Sequence, residues 1–252
     1  LPELHPTTAA SAMDTIKIPE KKNVKLIAHR GLSGIERENT NAAFVAAANR
    51  SYYGIETDIR RTLDKKFVLF HDKTTARIGI DSLVVEESTF DTLRSLVLTD
   101  IDGTKSRNDL RISTLEEYIL INKKYGKVAV LELKGAMTED EIYRICDTAE
   151  ALGYLHGVIF ISFNFDNLVI LRKKYPEQPA QFLISTYEDS LIGRLLEHKL
   201  DLDIKHEALN AENTAAIKAA GITLNCWTVD DPARALELIG FGVDMITTNI
   251  LE

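Results

Sequence analysis

Glu56-Thr57-Asp58 and Glu132-Leu133-Lys134 are triplets whose spacing concentrates charge on one side of a strand. Side chains alternate along extended backbone, so the first and third residues of each triplet share a face. The first triplet then sets two carboxylates side by side, and the second an acid beside a base. A carboxylate on a buried face is costly unless it is paired or bound to a metal. Three acids converging with too few fixed cations predict a hard, oxygen-ligated divalent ion, Mg²⁺ or Ca²⁺. Pairing of Glu132 with Lys134 or Arg30 is the plainer reading of any one dyad alone. Zinc is disfavoured, because the sequence has no Cys/His ligand cluster.

Two of the six histidines have company of their own, His29 beside Arg30 and His71 beside Asp72. Histidine exchanges protons near neutral pH, and two of them across a scissile bond serve as base and acid. His5, His156, His198 and His206 have no such neighbours and read as structural or solvated. Arg30 offers a planar fork suited to phosphate oxygens, and Lys134 a compact positive charge. Together with a divalent metal, these cations suit the stabilisation of charge on a phosphoryl group.

The elements that must position these residues are short apolar runs alternating with amphipathic segments. Residues 24–28, 53–59, 67–70, 128–133, 158–161, 181–184, 202–204, 222–229 and 243–246 read as strands. They are apolar nearly throughout, as in a parallel sheet covered on both faces. His29-Arg30 ends the first run, Glu56 and Asp58 the second, His71-Asp72 the third and Glu132 with Lys134 the fourth. Barrel enzymes build their sites at such C-terminal strand ends.

Thr138 with Glu141 and Thr114 with Glu117 predict capping boxes, the first helix stopping at Gly153 and the second at Gly126. Asp231-Pro232 opens a helix with Gly240 beyond it, and Asn210 opens one closed by Gly221. In the second half the strands start roughly 20 to 30 residues apart, one βα unit each, which favours a barrel or a doubly wound sheet. Nine strand-like runs are one too many for an eight-stranded barrel, so one is misassigned or lies outside it. Residues 74–111 fit the repeat poorly and read as a long βα loop with one short helix over residues 88–96.

Composition bounds the partners. The chain is 252 residues long, 45% hydrophobic and 27% charged, enough for one sizeable core in a single domain. A formal net charge of −8 argues against general affinity for nucleic acid or anionic membrane, while a small anionic substrate remains compatible with a few local cations. Two cysteines, Cys146 and Cys226, are too few for a disulfide framework and read as buried small hydrophobes. No stretch reaches the roughly 20 apolar residues of a membrane span. Residues 1–22 are mixed polar with three prolines and form an extension of unknown role ahead of a domain over residues 23–252. They contain no intact signal peptide, which slightly favours a soluble, cytoplasmic protein. Oligomeric state is not readable.

The ordered series of these motifs resembles the glycerophosphodiester phosphodiesterase family. It runs from His29-Arg30-Gly31 through Glu38-Asn39-Thr40, Ala43-Phe44, Ala47, Gly54, Glu56-x-Asp58, Thr62, Asp64 and His71-Asp72. It continues with Thr114-Leu115-Glu116-Glu117, Leu131-Glu132-Leu133-Lys134, Ser162-Phe163, Trp227-Thr228-Val229 and Gly242-Val243-Asp244, spanning about residues 24–249. The resemblance implies a (β/α)8 TIM barrel that hydrolyses glycerophosphodiesters to glycerol 3-phosphate and an alcohol. It implies His29 and His71 as general base and acid, and Glu56, Asp58 and Glu132 as metal ligands. It further implies that Arg30 and Lys134 grip the phosphate, and that Phe163 and Trp227 form an apolar wall. Three positions depart from the pattern: Arg37 replaces a proline, Lys65 a turn glycine, and Asn249 an aspartate. The rival readings are another metal-dependent TIM-barrel enzyme, a lyase, isomerase or phospholipase-like protein, and a non-catalytic ligand-binding barrel.

Overall fold

The computed structural model describes residues 14–79 and 81–252. His5 and most of the expected extension lie outside the described residues. Ten strands form one sheet: β1 (Lys25–Ala28), β2 (Gly54–Arg61), β3 (Phe67–Leu69), β4 (Ser113–Thr114), β5 (Val128–Leu133), β6 (Val158–Ser162), β7 (Ala180–Ile184), β8 (Asp201–Lys205), β9 (Leu224–Trp227) and β10 (Met245–Thr248). β1, β2 and β5–β10 are all parallel to their barrel neighbours, and β1 pairs with both β10 and β2. That double pairing closes an eight-stranded barrel.

The supernumerary run is β3. It lies outside the barrel, antiparallel to β2, and carries the two-residue β4 on its far edge. This corrects the expectation that His71 ends a parallel barrel strand. β2 is eight residues long and overshoots the rim, and the chain then turns back along it, pairing Leu69 with Ile59. The Phe70 amide donates to the Asp58 carbonyl at 2.9 Å, so His71 arrives at the rim from above, next to the acids of β2. Lys65 closes this hairpin with φ +59°, the left-handed conformation that a glycine takes without strain.

Helices α1 (Asn41–Ala48), α3 (Leu115–Tyr125), α4 (Glu139–Ala151), α5 (Phe165–Lys174), α6 (Ser190–Glu197), α7 (Ala211–Ala219) and α8 (Pro232–Phe241) connect the barrel strands. The short helix α2 (Phe90–Ser95) belongs to the excursion between β3 and β4. Both capping boxes form, and Gly126 stops α3 in the left-handed conformation. Asn210 caps α7, and Gly221 follows its last turn at φ +79°. The stop of α8 differs from expectation: the helix runs through Gly240, and Gly242 ends it at φ +104°. Gly240 alone does not break a helix whose apolar face, Ala235, Leu238 and Ile239, is already buried.

The core divides into three clusters. The largest lies between helices and barrel wall and includes Ala28, Phe44, Ile55, Leu131, Phe160, Leu202 and Ile246. A second fills the lumen with Ile27, Val130, Ile159, Ile161, Leu183 and Met245. A third is private to the excursion: Val68, Phe70, Ile78, Val85, Leu93, Leu98, Leu110 and Ile112. The residues expected to be a loop with one short helix thus have their own apolar centre, as well as a 3-10 turn (Val85–Glu87). Cys146 and Cys226 are buried free thiols, and burial raises the Cys146 pKa to about 12. Within the described part of the N-terminal segment, Ile16 pairs with Leu251 and Ile18 is buried. No helix of the described residues is long and apolar enough to cross a membrane.

Candidate active site

Glu56, Asp58 and Glu132 meet because β2 and β5 are paired in register, with Asp58 opposite Glu132. One oxygen from each lies within 4.8 Å of the others, and all three residues are buried. Three anions this close raise each other's proton affinity. Burial first, then Asp58 and Glu132, push Glu56 well above the usual carboxylate range. Burial and Asp58 raise Glu132 to about 8 despite Lys134. Asp58 goes the other way: burial is outweighed by Arg30, His71 and Lys134, which hold it low. Its Oδ1 is shut off from solvent with no hydrogen-bond partner among the described residues, and so is Arg30 Nε. An orphaned carboxylate oxygen inside an all-oxygen donor set fits a hard divalent cation.

The first loop is shaped to serve this cluster. Arg30 takes φ +56° and Gly31 φ +76°. A Cβ on Gly31 would stand 2.6 Å from Ala43, so only glycine fits there. In that conformation the Arg30 amide donates to Glu56 Oε2 at 2.8 Å. The Arg30 guanidinium lies 3.7 Å from Asp58 Oδ2 and donates to Glu38 Oε2 at 2.5 Å. Lys134 Nζ approaches Glu132 Oε1 at 3.0 Å and Asp58 Oδ1 at 3.9 Å.

His29 Nε2 lies 4.0 Å from Glu56 Oε2, and its Nδ1 is 2.7 Å from Asn249 Oδ1. Burial, then Arg30, lower the His29 pKa to about 4, so the ring is held neutral. His71 Nδ1 is 2.7 Å from Asp72 Oδ1, and Arg77 in turn donates to Asp72 Oδ2 at 2.9 Å. Burial lowers the His71 pKa against the opposing pull of Asp58.

One cavity, with about 450 Å³ of open space, is lined by seven of the nine expected site residues: His29, Arg30, Glu56, His71, Glu132, Phe163 and Trp227. Asp58 and Lys134 adjoin that set, Asp58 beside Arg30 and Lys134 beside Glu132. Phe163 and Trp227 meet edge to face with centroids 5.6 Å apart, and Phe163 is 48% exposed at the mouth. A wider trough adjoins this cavity across His29 and Arg30 and is bordered by Ser33, Arg37, Glu38, Arg77 and Asp230.

In the sequence Asn39 belongs to a motif and Arg37 and Asn249 depart from one, but none of their contacts is legible there, and Arg77 is not marked at all. Asn39, at φ +55°, donates to Asp58 Oδ2 at 2.9 Å and accepts from Thr57 Oγ1 at 2.7 Å. Arg77 bridges Asp72 and Glu38. Arg37, where a proline was the usual residue, donates to the Thr99 carbonyl at 2.5 Å and that of Asp100 at 2.6 Å, tying the first loop to the excursion. Asn249 sits against His29 and Asp230. The other described histidines are elsewhere: His156 meets Tyr154 edge to face, His198 meets Phe165 likewise, and His206 lies by Arg234.

Comparison with known proteins agrees with this architecture. Residues 29–252 match the model of the glycerophosphoryl diester phosphodiesterase family. YhdW of Bacillus subtilis (strain 168) is 30% identical over 240 residues, covering 89% of this chain and 93% of YhdW. The glycerophosphodiester phosphodiesterase of the same organism is 26% identical over 266 residues, covering 97% and 88%. The chain is also similar to the solved structure of an Oleispira antarctica phosphodiesterase in complex with the product sn-glycerol-3-phosphate. That match has a TM-score of 0.83 and 26% identity, covering 89% of this chain and 92% of the other.

Proposed function

The chain belongs to the glycerophosphoryl diester phosphodiesterase family, and from that premise we propose that it hydrolyses glycerophosphodiesters to glycerol 3-phosphate and an alcohol. The observation that carries this reading is the convergence of three buried carboxylates, two histidines and two cations on one cavity. Glu56, Asp58 and Glu132 would hold a divalent cation, Mg²⁺ or Ca²⁺. Bound there, it would draw charge from the phosphoryl oxygens and orient them.

The chain's own residues supply the rest. The Arg30 guanidinium and the Lys134 ammonium take phosphate oxygens, neutralising charge that the acids would otherwise repel. His29, neutral and bare at Nε2, accepts the proton of the attacking oxygen. His71 delivers a proton to the leaving alkoxide, with Asp72 at Nδ1 offsetting the charge of the doubly protonated ring. Phe163 and Trp227 cover the apolar edge of the substrate.

The test is release of glycerol 3-phosphate, read by a coupled assay over choline, ethanolamine, inositol and glycerol head groups. The expected result is turnover with Mg²⁺ or Ca²⁺ and its loss in chelator. Absence of product from every head group overturns the substrate, and undiminished turnover in chelator overturns the metal.

A further inference from the structure

The barrel interior contains a fourth acid that the proposed chemistry leaves unused. Asp203 lies mid-strand in β8 between Leu202 and Ile204, opposite Leu183 of β7 and Asn225 of β9. It is 2% exposed and lines the cavity that holds the histidines. Its Oδ1 has no hydrogen-bond partner among the described residues. The polar groups around it are already engaged: Asn225 donates to Gln181 Oε1 and accepts from Thr247 Oγ1, each at 3.1 Å. Burial alone pushes the Asp203 pKa well above the usual carboxylate range. An uncharged carboxyl offers one donor and one acceptor. Leaving such a group unmatched in a folded core costs about 1–3 kcal/mol.

The cavity and the trough meet at His29 and Arg30, and Asp203 lines the cavity only. With the phosphate at Arg30, a diester spanning that junction would put one half in the cavity and the other in the trough. The wider trough is the side with room for varied alcohols to leave. Alongside Asp203 the small cavity carries Ile161, Leu183 and Trp227, with Thr228 and the already engaged Thr247.

We propose that Asp203 is a specificity-determining residue that hydrogen-bonds the terminal hydroxyl of the substrate's glycerol half. This rests on the glycerophosphodiester reading. A site built to satisfy a hydroxyl rejects the analogue that lacks it, because its own polar group is then left unpaired.

The experiment compares kcat/KM for glycerophosphoethanolamine with that for its analogue carrying propane-1,2-diol in place of glycerol. That analogue keeps the middle hydroxyl and loses only the terminal one. The wild-type protein is expected to prefer the glycerol substrate by about 10²-fold or more. Asp203→Leu is expected to erase most of that preference by lowering kcat/KM on the glycerol substrate alone. Asp203→Asn, which keeps a donor and an acceptor, is expected to retain most of it. If the leucine variant fails to fold, Asp203→Ala gives the same comparison. A loss shared equally by both substrates overturns the inference, as does an active wild-type enzyme without preference. So does a change at Asp203 that alters choline against ethanolamine selectivity instead. The same pair is made with whichever head group the protein turns over, and a wild-type protein inactive on all of them would overturn the function itself.

Discussion

His29 is held at Nδ1, and the chemistry of the partner there settles which ring nitrogen carries the proton. Asp230 can only accept, and it receives the Asn249 backbone amide at 2.8 Å and the side-chain amide at 2.7 Å. The Asn249 carbonyl oxygen must therefore face His29, which donates from Nδ1 and leaves Nε2 bare. Ser33 Oγ donates to the same oxygen at 2.8 Å. Asn249→Leu removes that acceptor, and kcat is expected to fall about 10-fold or more while Asn249→Asp retains most of it. His29→Ala and His71→Ala should each lower kcat by about 10² or more, measured at saturating metal and substrate. Wild-type turnover in either alanine variant would remove that ring from the mechanism. The histidines and acids were legible in the sequence because polar residues at the ends of apolar runs stand out. Asn39 and Arg77 were not, since their contacts depend on a left-handed backbone turn and on an excursion without periodicity. Asp203 did leave a signal, an acid between Leu202 and Ile204 inside an apolar run, but a single polar residue does not alter the strand pattern.

Among the elements, the β2–β3 hairpin and the excursion behind it decide where His71 stands. Their apolar cluster shares no residue with the barrel core, and Leu93 is the buried residue of α2. Leu93→Ala is expected to cost about 2–5 kcal/mol locally. Because His71, Asp72 and Arg77 hang from this unit, kcat should fall as well. Hydrogen exchange should then show faster opening over residues 67–114 than in β5–β10; uniform loosening of both regions would contradict a separate unit. On α4 the consequence is the opposite. Thr138 accepts from the Glu141 amide at 3.2 Å, and Glu141 answers with the Thr138 amide at 3.0 Å. Thr138→Ala should cost about 1 kcal/mol in urea unfolding and leave turnover unchanged. Caps of this kind were readable because they are local in sequence. The placement of β3 was not, because an apolar run of four residues looks the same whether it joins the barrel or folds back over its rim.

For the whole molecule, closure is the property no local pattern encodes: β1, already paired with β2, is also in register with β10, which joins residues more than 200 positions apart. The same seam is tied by Glu252. Its carboxylate takes Lys17 Nζ and Thr15 Oγ1, each at 2.6 Å, and the Ser51 hydroxyl at 2.8 Å. Parallel backbone bonds join Ile16 to residues 250 and 252. Burial would raise the Glu252 pKa, but these donors outweigh it and lower it to about 2 from 4.5. A depressed folded-state pKa means that the stabilisation is complete above about pH 4.5 and is lost as pH falls toward 2. Its size is on the order of 1–3 kcal/mol, since the Lys17 end is open to solvent. Glu252→Gln keeps the shape of the group and removes its charge. The variant should therefore be less stable than wild type at pH 6, and the gap should narrow as unfolding is measured at pH 5, 4 and 3. A gap that stayed constant over this range would show that the shape of Glu252, rather than its charge, holds the seam.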